Sequence, residues 1–170
     1  MIEILKIVLP ALLVLLTAYL LIDKLLRNEE KRRNFEIRKK NNSIVTPVRL
    51  RAYERLMLVL ERTSPNAIVV NTIKSGMTSF ELHTQLIEGI RNEFSHNSAQ
   101  QIYVSNELWN AVCMAQESLI QLINGCASKV QPDQEATKLA EIIIQVYSSS
   151  EQTPTEIASK ILKKEVSMLM

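Results

Sequence analysis

The run IVLPALLVLLTAYLLI, Ile7 to Ile22, contains no charged residue, and no other feature of the chain restricts its architecture as strongly. Counted from Ile2, the apolar stretch approaches the roughly 20 residues with which an α-helix spans about 30 Å of hydrocarbon. Glu3 and Lys6 stand at its edge, where charged ends reach the head-group layer. Pro10 falls in the first turns, where a missing amide removes little hydrogen bonding. A secretory signal peptide begins with positive charge and ends at a small-residue cleavage site. Here the positive charge comes afterwards: Lys24, Arg27, Lys31, Arg32, Arg33, Arg38, Lys39 and Lys40 face only Asp23, Glu29, Glu30 and Glu36. The excess of cations after the apolar run predicts an uncleaved membrane anchor over residues 2–22, N-terminus outside, with everything after it in the cytoplasm.

Residues 1–43 carry nine Lys/Arg against five Asp/Glu, whereas residues 44–170 carry eleven against thirteen. The net charge of +2 therefore conceals a basic N-terminal segment and a slightly acidic body. Basic residues with Phe35 as the lone aromatic among them are an ordinary topology signal, and no nucleic-acid partner is expected. The segment DKLLRNEEKRRNFEIRKKNN has good helix formers without Gly or Pro and no strong apolar face, so it reads as a solvated helical stalk over residues 24–45.

Few Gly and Pro, with abundant Leu, Ile, Ala, Glu, Lys and Gln, predict an all-α fold for residues 46–170. Helix starts are written in capping chemistry: Thr46-Pro47, Ser64-Pro65, Thr78 with Glu81, Ser105, and Thr153-Pro154 with Glu156. Asp133 after Pro132 offers another. Apolar stripes follow: Ala52, Leu56, Leu60 beside Tyr53 and Met57; Leu82, Leu86, Ile90, Phe94; Leu108, Val112, Leu119, Ile123, Cys126; Leu139, Ile143, Val146; Ile157, Ile161, Leu162, Leu169. The expectation is an N-terminal transmembrane helix and stalk followed by a bundle of four or five helices. AIVVNTI, Ala67 to Ile73, is β-branched but has no second strand to pair with, so a short helix is expected there. The widest apolar arc belongs to the Leu108–Cys126 helix, which should lie centrally. Trp109 and Tyr103 read as packing residues rather than a ligand cage. Cys113 and Cys126 on one helix are about 20 Å apart, beyond disulfide reach, and are read as buried thiols.

Glu93 and His96 stand in the Glu-x-x-His spacing that presents two metal ligands from neighbouring turns. A di-metal carboxylate bundle needs two such pairs and two further Glu. Only one pair exists, since His83 has Glu81 two residues before it, on another face. The stripe Leu82–Phe94, continued, runs through Asn97 and Gln101, so two amides are expected to point inward and to bond across helices, with Gln116 as partner. Glu93, His96, Asn97, Gln100, Gln101 and Gln116 form the candidate polar interaction face, with ligand or metal binding at Glu93, His96 and Asn97 as the alternative to protein binding. No Gly-rich phosphate loop, nucleophile elbow or paired-carboxylate motif marks a common enzyme class or calls for a cofactor.

The pieces TPVRLRAYERLMLVLERTSP and EFSHNSAQQIYVS, behind the N-terminal anchor, resemble a family of uncharacterised membrane-anchored helical proteins from Bacteroidetes. They contain Arg49, Arg51, Tyr53, Glu54, Arg55, Glu93, His96, Asn97, Gln100 and Gln101. The resemblance implies a bacterial inner-membrane setting and brings no activity or substrate with it. The expected role is an adaptor or assembly subunit binding a protein partner at the membrane, with self-association also open. A stator-like rod would need a long uninterrupted helix after the anchor, against which Pro47, Pro65, Gly76, Pro132 and Pro154 count.

Overall fold

The computed structural model describes residues 2–150 and 152–169, and their side chains except at 2–14, 18, 41 and 42. These residues form six α-helices and one 3-10 helix: α1 (Ile2–Arg62), α2 (Pro65–Thr72), α3 (Ser79–His96), the 3-10 helix Ser98–Tyr103, α4 (Asn106–Ala127), α5 (Ala136–Ser148) and α6 (Pro154–Ser167). No strand occurs among the described residues; Thr78 and Glu135 make one isolated antiparallel bridge. The chain divides into two compact units, residues 1–45 and 46–170.

The first unit is helical throughout its described length. Its charged part carries ion pairs along the helix, Arg27 to Asp23 at 2.9 Å and Arg32 to Glu29 and Glu36 at 3.4 and 3.8 Å. Leu15, Leu16, Tyr19, Leu20, Leu21, Ile22, Leu25 and Leu26 are all exposed. Among the described residues no helix is long and apolar enough to cross a membrane. The side chains of Glu3, Lys6, Pro10 and the rest of the apolar run before Leu15 lie outside the described residues.

Thr46-Pro47 does not start a helix, contrary to its capping chemistry: α1 passes through both residues to Arg62. An N-cap is a boundary only where the preceding chain leaves the helix, and residues 24–45 are helix formers that do not. Pro47 has no amide to bond the Ser43 carbonyl, a cost of about 3 kcal/mol in a helix interior. Burial of Ala52, Tyr53, Leu56, Val59 and Leu60 on the following turns offsets it. The helix starts after Ser64, Thr78, Ser105 and Thr153 fall where the sequence puts them. Ser64-Pro65 precedes α2, and Ala67 to Thr72 is helical rather than extended. Gly76, at φ 76°, makes the turn before α3, a conformation that glycine adopts without steric cost.

The second unit is a helical body with one core. α4 packs against α3, α5 and α6, the central position expected from its wide apolar arc. Leu108, Val112, Ala115, Leu119, Ile123 and Cys126 are its buried face. Leu82, Leu86, Ile90 and Phe94 of α3 and Leu139 and Ile143 of α5 share its core, as do Ala158 and Leu162 of α6 and Tyr53, Leu56, Val59 and Leu60 of α1. The turn before α3 and the loop before α5 are stitched together: Ser79 N donates to Gln134 O at 2.7 Å, and Ala136 N donates to Met77 O at 2.9 Å. That pairing displaces the start of α5 to Ala136, beyond the Asp133 expected to cap it, with Glu135 at the cap position.

Candidate functional site

Among the polar places on the surface of the helical body, two bear on the sequence-derived candidates, which fall unevenly between them. The first is a cleft of about 450 Å³ lined by Arg51, Glu54, Arg55, Leu58, Val59 and Arg62 of α1 with Glu93 and Asn97 of α3. Arg62 Nη1 lies 3.5 Å from Glu93 Oε1, a loose and largely exposed pair that contributes little stability. Asn97 is the C-cap of α3, and its Nδ2 donates to the Glu93 carbonyl at 2.9 Å.

That cap explains why the inward amides do not materialise. The stripe continues only while the helix does, and α3 stops at His96. Asn97 is half-buried and turned back on its own helix end, while Gln101 is exposed on the 3-10 helix. Gln100 is half-buried on the same short element. Gln116 is half-buried on α4, and no hydrogen bond joins it to Asn97 or Gln101 among the described residues. His96 is exposed at the end of α3. Of the six face candidates, the cleft unites Glu93 and Asn97. Among the described residues no group of three His, Cys, Asp or Glu is placed to hold a metal ion. His83 Nε2 is engaged with Asn124 Oδ1 at 2.7 Å.

The second place is a network that ties α1, the start of α4 and α6. Tyr53 OH donates to Glu165 Oε2 at 2.9 Å and receives Arg49 Nη2 at 2.8 Å. Arg49 Nε donates to the Tyr103 carbonyl at 3.0 Å, and its guanidinium lies 5.8 Å from the Tyr53 ring centre. The other Glu165 oxygen receives the Ser105 hydroxyl, and Ser105 Oγ in turn accepts from Leu108 N at 3.0 Å as the α4 cap. Burial, then the hydrogen bond to Glu165, holds the Tyr53 phenol above its usual range. With the phenol, both carboxylate oxygens and the capping hydroxyl all partnered, this arrangement has the chemistry of a structural clasp. An open hollow of about 410 Å³ lies beside it, lined by Glu107, Ile161, Lys164, Met168 and Leu169 as well as the clasp residues.

Of the two thiols, Cys126 is buried as expected and Cys113 only half-buried; both are free. Burial raises the pKa of each, so neither is an activated nucleophile.

Arg51, Arg55 and Arg62 stood out in no sequence pattern, since their role required knowing that α1 continues through Pro47 and lines a cleft with α3. Glu165 carried no signal, because its partner Tyr53 is 112 residues away.

No curated protein and no solved structure matches the chain. A family model does match, over residues 1–169. The chain therefore belongs to DUF7935, a family of unknown function.

Proposed function

We propose that this chain is a single-pass inner-membrane protein whose helical body binds a protein partner at the membrane surface, as an adaptor or as a subunit of an assembly. In this reading residues 2–22 cross the bilayer with the N-terminus outside. Residues 24–45 form a charged stalk, and residues 46–170 stand in the cytoplasm.

The supporting observation is the exposure of apolar side chains on the N-terminal helix. Leu15 is 72 % exposed, Tyr19 66 % and Ile22 56 %, and burying one such side chain is worth about 1.5–3 kcal/mol. A contiguous apolar surface of this kind calls for a cover. Lipid supplies it without further protein, and the basic residues that follow orient it. The likeness to membrane-anchored helical proteins of Bacteroidetes supports the same setting. Partner binding is favoured over catalysis because the cleft offers charge and shape without a nucleophile or an assembled acid–base pair.

Alkaline carbonate extraction of cell membranes tests the anchor: the protein should stay in the pellet, and Leu15→Arg with Tyr19→Arg should shift it toward the supernatant. Release of the unaltered protein would sink the anchoring. Reporter fusions at both termini should place the C-terminus inside. Affinity purification from crosslinked membranes, against a control carrying residues 1–45 alone, should recover a partner only when the helical body is present.

A further inference from the structure

We propose that the cleft between the C-terminal part of α1 and α3 is the docking groove for an acidic amphipathic helix of a partner protein. The proposal rests on the partner-binding reading above and assigns its surface and the chemistry of its occupant. Arg51, Arg55, Leu58 and Arg62 follow one another at i, i+4, i+7 and i+11. At about 100° per residue they fall within about 60° of arc, forming a straight stripe along the helix. That stripe lines the cleft on the α1 side together with Glu54 and Val59, with Glu93 and Asn97 on the α3 side, so three guanidinium groups there face two carboxylates.

The stripe is under-neutralised in a way that other arginines of the same helix are not. Arg27 and Arg32 bond carboxylates three or four residues away. Arg51 and Arg55 make no ion pair among the described residues, although Glu54 stands three residues after Arg51. Two unpaired like charges one turn apart weaken a helix. Carboxylates arriving from outside would relieve that repulsion, each taken by a guanidinium through two parallel hydrogen bonds.

Along the stripe, between Arg55 and Arg62, stands Leu58, 45 % exposed, and the buried Val59 also lines the cleft. The complementary surface is an apolar side chain flanked by acidic ones. A helix laid along α1 presents that pattern at its own spacings of three and four, the helix-in-groove mode of recognition. An inorganic anion would satisfy the arginines and leave Leu58 uncovered. Arg62, held only by its 3.5 Å contact to Glu93, is free to exchange that carboxylate for an incoming one.

The test uses the full-length protein in its own membrane, with Leu58 replaced by photo-crosslinking benzoylphenylalanine, and a second variant carrying the crosslinker in place of Met114, 65 % exposed on α4. Adducts from position 58 should map to an Asp/Glu-rich helical segment of another protein. They should fall at least tenfold with Arg51→Glu plus Arg55→Glu, and return when the partner's acids are changed to Lys. Thermal unfolding checks the charge-reversed chain, and Arg51→Gln with Arg55→Gln replaces it if the reversal unfolds the body. Adducts to lipid, to a second copy, or to a segment poor in acids would overturn the proposal, as would adducts indifferent to the arginines. A protein adduct at position 114 with none at 58 would remove the groove and leave partner binding standing; silence at both would remove both.

Discussion

Tyr53 carries more of the fold than its apolar neighbours do, because its ring is buried while its hydroxyl joins Arg49 to Glu165. Tyr53→Phe keeps the ring and deletes the joint, leaving a carboxylate and a guanidinium each short of one partner. Hydrogen bonds to charged groups are worth about 1.5–3 kcal/mol, and chemical denaturation should show a loss of that order with an unchanged m-value. The same phenol has its pKa raised, chiefly by burial. In the folded state it therefore holds its proton at pH values where the unfolded chain has released it. Its contribution to stability is fully present below the ordinary phenol range and is lost as pH rises through that range and beyond. Tyr53→Phe should accordingly flatten the alkaline limb of a stability profile above about pH 10; an equally steep limb would assign the loss to other groups. None of this was legible from sequence, where Tyr53 showed only as one more residue of an apolar face.

Helix ends were more legible than helix interiors, since a cap is decided by three or four consecutive residues. Thr78 and Thr153 each accept from the backbone of a Glu three residues on, and each Glu returns a bond to the threonine amide. Ser64 looks equivalent in sequence, yet its hydroxyl donates backward to the Glu61 carbonyl at 2.8 Å and caps nothing. Thr78→Ala and Thr153→Ala should each cost about 1 kcal/mol, whereas Ser64→Ala should stay within about 0.5 kcal/mol. Equal losses at all three would mean that Ser64 caps α2 in solution. Pro47 gives the complementary prediction. As an interior residue of α1 it withholds one backbone bond, so Pro47→Ala should stabilise the helix and raise hydrogen-exchange protection over residues 44–51. A neutral or destabilising result would mean that a new helix starts at Pro47 after all. The case against a stator-like rod leaned on that proline too, and there it fails, since α1 runs unbroken through Pro47 to Arg62. It then gives way to a packed body, with Pro65, Gly76 and Pro154 at its turns and helix starts.

For the molecule as a whole, the division at residues 45 and 46 falls shortly before the core begins at Tyr53, so the core lies wholly in the second unit. Residues 46–170 should therefore unfold in one cooperative transition without the N-terminal unit; a broad, non-cooperative melt of that fragment would show that the first 45 residues complete the fold. Composition, apolar periodicity and capping chemistry were enough to establish an all-helical chain, the starts of α2, α3, α4 and α6, and the central place of α4, because each depends on neighbours within a turn or two. Tertiary structure decided the rest. It offset the cost of carrying α1 through Pro47, brought Glu165 to Tyr53, and set an arginine row opposite Glu93. Those outcomes depend on burial and on partners dozens of residues away, and the free energy that selects them exists only once the helices have packed.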